Sequence, residues 1–177
     1  MQLQNILEKR RSVRVYQNRE VEDEKIKEVI AAAINAPSWK NSQTTRYYVV
    51  KEKSLLEKMK KTLPEFNQNN VKNAPVLLVS TVVLNRSGFE KDGRASNELS
   101  NEWGYYDCGL HDMILLLKAC ELGLSTLIMG IRDANQIRSL LAIPDTEGIA
   151  SVIAMGYSDF HPEKPKRKSV EEITCFY

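Results

Sequence analysis

Apolar positions recur along this chain with two periods, and the changes from one period to the other mark out most of the elements. Leu3, Ile6 and Leu7 have helical spacing and predict a short helix over residues 2–9. Ile26, Val29, Ile30, Ala33 and Ile34 repeat at i, i+3, i+4, i+7 and i+8, so Glu22 to Ile34 is the clearest amphipathic helix, with acidic residues in its first turn where the helix dipole favours them. Ser54 followed by Glu57 predicts a capping box for a helix reaching Leu63. Residues 66–73 are amide-rich and read as a turn with a short helix. From Trp103 to Leu122, apolar residues cover more than one face, which predicts a long and largely buried helix closed by Gly123. Asp133 with Gln136 opens a last helix that stops before Pro144. Extended segments are expected at 13–16, 46–50, 75–84, 125–131 and 149–157. The third, PVLLVSTVVL, is apolar nearly throughout and predicts a strand buried on both faces. Helices and strands mix without a regular βαβ alternation, and no repeat or internal boundary interrupts them. The expected architecture is α+β, one layered domain over residues 1–177.

The polar stretches between these elements hold the candidate chemistry. Arg10-Arg11-Ser12-Val13-Arg14 places three cations and a hydroxyl in five residues. In extended backbone, side chains alternate, so Arg10, Ser12 and Arg14 would share one face. Guanidinium forks converging there suit a phosphate; taken alone, the stretch fits a solvated basic patch better. Ser38, Asn41 and Gln43, in the loop Ala36 to Gln43, offer donors and acceptors for a polyhydroxyl chain or a heterocycle edge. Lys166, Arg167 and Lys168 form a second basic run, which alone reads as a solvated tail. Residues 86–101 are polar and irregular, suited to a loop or lid. His111 and Cys108 lie a helical turn apart, but among Leu and Met they read as packed core rather than as a base and a nucleophile. Glu171 and Glu172 read as a solvated helix face.

Charge narrows the classes further. Lys and Arg number 25 against 23 Asp and Glu, a net charge of +2, which argues against a broad nucleic-acid surface. No apolar run approaches the roughly 18 residues of a membrane span, and the N-terminal segment lacks a signal-peptide core. Cys108, Cys120 and Cys175 are odd in number and far apart, which fits reduced thiols and a cytoplasmic location. With His111 and His161 the only histidines and no C-x-x-C, no metal site is expected. The chain also lacks a P-loop, a G-x-S-x-G elbow and a G-x-G-x-x-G. An enzyme built this way leaves the reaction to a cofactor and supplies orientation and electrostatics.

Taken in order, RRSVR, the loop APSWKNSQ before a strand, Ala74-Pro75 opening an apolar strand, the helix ending in ELGLST and the strand end Met155-Gly156-Tyr157 resemble the nitroreductase family of flavin enzymes. The resemblance implies a mostly antiparallel sheet flanked by helices, an intertwined homodimer, FMN at the subunit interface, and NADH or NADPH as reductant. It further implies transfer of hydride through flavin N5 to a small aromatic acceptor, a nitroaromatic or a quinone. By position, Arg10 would hold the FMN phosphate with Arg11 and Ser12 nearby, joined by Arg167, or by Lys166 or Lys168 in its place. Arg14 would stabilise negative charge at the pyrimidine edge of the flavin. Pro37, Ser38, Trp39 and Asn41 would come from the partner subunit, Asn67 would bond the ring, and Met129 and Gly130 would offer backbone N–H groups to N5 and O4. Asn69 and Asn70 are rivals for the role of Asn67. Thr44-Thr45 departs from the family's Pro-Trp, and Trp103, Tyr105 and Tyr106 are either a cover for the flavin or interface aromatics. Two further readings share these residues: a flavin-binding storage or sensor protein without turnover, and a small anion or nucleic-acid binder. Near-neutral net charge and the amide-rich loop speak against the second.

Overall fold

A computed structural model describes residues 2–177. Its centre is a four-stranded sheet made of β1 (Thr45–Val50), β2 (Val76–Val83), β3 (Ser125–Met129) and β4 (Glu147–Gly156), in the order β1-β2-β4-β3 with every ladder antiparallel. The two central strands are the most apolar segments of the chain, and both of their faces are covered, as the run of valines and leucines requires. Alternation divides them. Leu77, Val79, Val152 and Ala154 face one layer, where they pack with Leu56 and Met59 of α3 (Lys53–Lys60), Val71 of α4 (Glu65–Val71) and Ile137 of α6 (Ala134–Leu141). Val76, Leu78, Ile153 and Met155 face the other, against Val29 of α2 (Asp23–Ala33) and Leu115 and Ala119 of α5 (Glu102–Glu121). A short α1 (Leu3–Lys9) lies over α5.

Most predicted elements appear within a residue or two of their expected bounds. Gly123 ends α5 with φ +76°, its N–H on the Cys120 carbonyl and the Leu124 N–H on that of Ala119, the paired closure for which a left-handed glycine is suited. Asp133 caps α6 by accepting the Gln136 N–H at 2.9 Å. Two expectations fail. The α3 cap is Glu52, whose carboxylate accepts the N–H groups of Ser54 and Leu55, while Glu57 pairs with Lys60; a longer acidic side chain two residues earlier reaches the same orphan donors. Glu171 and Glu172 lie in an exposed turn rather than a helix, with Ser169 and Glu172 bonding each other's backbone N–H.

Helix α5 is fixed to the sheet by a buried carboxylate. Asp112 accepts hydroxyl hydrogen bonds from Tyr47 of β1 and Ser80 of β2, each at 3.0 Å, and Ser151 of β4 lies at 3.4 Å. Burial raises its pKa, and the three hydroxyls oppose the rise without cancelling it. A raised native pKa means that the folded protein binds this proton more tightly than the unfolded chain does. The contribution of Asp112 to stability is therefore greatest below the ordinary aspartate range and declines as pH rises towards the raised value. Asp112→Asn should flatten this part of the pH–stability curve, so that urea midpoints of the two proteins converge or cross as pH rises from acid to neutral; parallel curves would contradict the assignment.

Candidate functional site

The Arg10–Arg14 stretch runs beside the outer edge of β3, registered by a parallel bridge between Ser12 and Thr126 in which the Val13 N–H donates to the Thr126 carbonyl at 2.9 Å. Val13 is buried beneath it, whereas Ser12 and Arg14 are exposed, the alternation expected of extended backbone. Beside this stretch opens a cavity of about 320 Å³ lined by Arg10, Arg11, Ser12, Arg14, Pro162, Glu163, Pro165 and Arg167. Guanidinium groups from both ends of the chain thus meet at one cavity. Arg14 and Arg167 bond backbone carbonyls of their own segments. Among the described residues none of Arg10, Arg14 and Arg167 pairs with a carboxylate, although Lys164 close by is taken up by Glu8. These three guanidinium groups against the single carboxylate of Glu163, which pairs with none of them among the described residues, leave the cavity net positive and suited to an anion. Neither Lys166 nor Lys168 lines the cavity. A larger cavity of about 540 Å³ shares Arg10, Arg11 and Pro162 with it and extends past Cys120 and Thr126.

The far end of β3 gathers a second group. Because the Thr126 carbonyl points away from β4, strand alternation turns the backbone groups of Ile128 and Gly130 to the same open edge, while Leu127 and Met129 bond β4. At ~3.3 Å per residue, four residues from Thr126 to Gly130 separate the two groups by ~13 Å. Gly130 and Ile131 are exposed, and the side chain of Met129 is buried in the core. Asn67 of α4 is buried, with its Nδ2 3.5 Å from the Ile131 carbonyl and its Oδ1 3.4 Å from Asn70 Nδ2; Asn69 is exposed. Among the three amides, Asn67 therefore points at the strand end.

The loop with Pro37, Ser38, Trp39 and Asn41 lies elsewhere, against α5, and none of its residues lines either cavity. Asp107 holds it: its Oδ2 accepts the Trp39 N–H at 3.0 Å and the Ser87 hydroxyl at 2.5 Å. Lys40 pairs with Glu90, and the Trp39 ring packs tilted by 47° against Trp103 with centroids 4.8 Å apart, while Trp103 meets Tyr106 edge-on at 5.6 Å. Segment 86–101, read as a loop or lid, is thereby tied to this loop and to the start of α5. Gly88 there has φ +84°, and a Cβ would fall 2.2 Å from the Ser100 carbonyl oxygen, so glycine is required.

His111 is buried and its pKa is lowered by burial, as a packed histidine demands; among the described residues neither ring nitrogen has a hydrogen-bond partner. Burial first, and then Asp112, pushes the Cys108 thiol up to about 12, which leaves it protonated and inert at neutral pH. Among the described residues no group of histidine, cysteine and carboxylate side chains is arranged to hold a metal.

Residues 7–157 match the Nitroreductase family. The chain belongs to that family. A protein of Archaeoglobus fulgidus named for NADH dehydrogenase and NAD(P)H nitroreductase activity is 31% identical over 152 residues, 84% of this chain and 80% of its own. The solved structure of an FMN-dependent nitroreductase of Clostridium difficile aligns with TM-score 0.72 and 28% identity over 95% of this chain and 92% of that one. A nitroreductase family protein of Streptococcus pneumoniae aligns with TM-score 0.87 over 99% and 100%; at 22% identity it speaks for the fold alone. This family member is an oxidoreductase that uses FMN with NADH or NADPH. The residues present fit such a cofactor: unpaired arginines and Ser12 for a phosphate, and an open strand edge with a buried amide for a polar ring. Sequence reading passed over Arg132, Asp107 and Thr126, which act through backbone groups or loop contacts; no local motif signals such roles.

Asp107→Ala leaves the buried Ser87 hydroxyl and the half-buried Trp39 N–H without an acceptor, at up to ~1–3 kcal/mol each. It should lower unfolding free energy by about 3 kcal/mol and shift tryptophan emission to the red as the Trp39–Trp103 contact opens. Unchanged emission would show that Asp107 does not hold the loop.

Proposed function

We propose that this chain works as a homodimer that passes hydride from NADH or NADPH, by way of FMN, to a small aromatic acceptor, a nitroaromatic or a quinone. The observation that carries the reading is the cavity at which Arg10, Arg14 and Arg167 meet without carboxylate partners, beside the free edge of β3. Bound FMN supplies the two-electron chemistry at N5. The protein supplies the rest. Arg10 and Arg167 hold the phosphate as planar forks, with Ser12 and Arg11 at its margin. Arg14 stands at the pyrimidine edge of the ring as a fixed positive charge where electrons accumulate, in place before reduction and needing no reorganisation. Gly130 offers its backbone N–H along the open edge; Met129, whose backbone is engaged by β4, fixes that edge rather than donating to the ring. Asn67 orients the strand end. No side chain need act as acid or base, since solvent delivers protons.

One protomer leaves the site half built. Pro37, Ser38, Trp39 and Asn41 sit against α5 and none of them lines the basic cavity, so in this reading a second copy brings them to it. Exposed apolar residues support that copy. Tyr106 and Met113 lie on α5, and the segment 159–177 carries Phe160, Ile173 and Phe176, the last 89% exposed. Trp103, Tyr105 and Tyr106 would then stand where an aromatic acceptor stacks. No helix of the described residues is long and apolar enough to cross a membrane; three unpaired cysteines favour the cytoplasm.

Purified protein should be yellow, bleach anaerobically with NADH or NADPH and recover on adding a quinone; a colourless sample that takes up no FMN would reject the reading, and yellow protein that never bleaches would favour a storage role. Arg14→Ala should retain FMN but lower its midpoint potential, and an unchanged potential would remove the charge role of Arg14.

A further inference from the structure

Beyond β3 the chain is held at four consecutive residues by three different elements. The Gly130 carbonyl accepts from Arg132 Nη1 at 2.8 Å, and the Ile131 carbonyl lies 3.5 Å from Asn67 Nδ2 of α4. Arg132 Nη2 donates to the Ile149 carbonyl in β4, and the Asp133 N–H donates to the Thr62 carbonyl, after α3, at 2.8 Å. Arg132 Nε is buried and bonds nothing among the described residues. Nor does the guanidinium pair with a carboxylate there. Arg132 is half-buried, and a buried guanidinium N–H left without an acceptor costs stability that packing alone does not repay. The two residues next to it, Gly130 and Ile131, are exposed at the open edge of the sheet.

We propose that Arg132 is a positioning residue for the flavin ring. Its planar fork spans two carbonyls, Gly130 just past β3 and Ile149 on β4, and so holds the open edge in one conformation. Its charge, left without a counter-ion, lies behind the backbone on which the ring rests. A lysine offers the charge but not the bridge, because a single ammonium on a flexible stem lacks the fork. The inference rests on the FMN reading above and goes beyond it, since wild-type protein that binds FMN satisfies that reading whatever Arg132 does.

The test uses full-length Arg132→Lys and Arg132→Gln beside wild type, with three readouts: FMN affinity from quenching of flavin fluorescence, the midpoint potential of bound FMN, and amide hydrogen exchange over residues 129–133 before FMN is added. Loss of a bridge to a charged group should weaken FMN about tenfold in both variants. Exchange at Gly130 and Ile131 should speed up in both. The potential should fall in Arg132→Gln and fall less in Arg132→Lys. Variants with wild-type affinity and potential, whatever their melting temperatures, would show that Arg132 only braces the fold and overturn the proposal. Should Arg132→Gln not fold, the Lys variant decides: it must show the weakened affinity and faster exchange, and wild-type values in both would overturn the proposal.

Discussion

The hydrogen bond from the Val13 N–H to the Thr126 carbonyl sets the geometry on which the site depends. It lays the RRSVR stretch along the outer edge of β3 in a single register and stops after one bridge. A longer ladder would have covered that edge; no ladder would have left the arginines without a fixed relation to the sheet. The bridge determines that Ser12 and Arg14 face out while Val13 goes in. Pairing of β3 with β4 carries the alternation on, leaving the backbone groups of Ile128 and, just past the strand, Gly130 on the open edge. An exposed strand edge is ordinarily a liability for aggregation. Here it is short, flanked by cations, and in the proposed reading covered by cofactor.

The remainder of the fold keeps this edge still. β3 is an edge strand, but β4 beside it is buried on both faces, so the edge is carried on a well-packed part of the sheet. Arg132, Asn67 and the Thr62 carbonyl hold the chain where β3 ends. On the other side of the sheet, Asp112 and Asp107 use α5 to fix, respectively, the strands and the Trp39 loop. A protein built this way brings charge and shape to its cofactor with little rearrangement, which is how an enzyme without its own acid–base residues contributes to rate.

Much of the fold was legible in the sequence because its signals are local. The period of Ile26 to Ile34 fixes α2, the valines of β2 mark a central strand, and Gly123 marks the end of α5. The basic half of the site was legible as well, since Arg10, Ser12 and Arg14 are adjacent and Arg167 stands in a run of cations. What local pattern did not contain was the convergence of residue 167 on residues 10–14, the engagement of Met129 by β4, and the bracing by Arg132 and Asp107. These depend on pairing across the sheet and on carbonyl acceptors, which every residue carries and no motif distinguishes. The Glu52 cap was missed for a related reason. Acidic residues stand on both sides of Ser54, and each is of a type that caps a helix start, so spacing alone does not choose Glu52 over Glu57.

The account turns on a site shared between two copies of the chain, with arginines from one and the Trp39 loop from the other. Its most direct test is a mixed dimer. One copy carries Arg10→Ala and Arg167→Ala, the other carries alanine at Ser38, Trp39 and Asn41, and bound FMN is counted for each parent and for the isolated mixed species. The account predicts little FMN on either parent and one FMN for every two chains of the mixture, because a single intact site is rebuilt from the unmutated halves. A mixed dimer as empty as its parents, or a loop-mutated parent that holds a full complement of FMN, would contradict it.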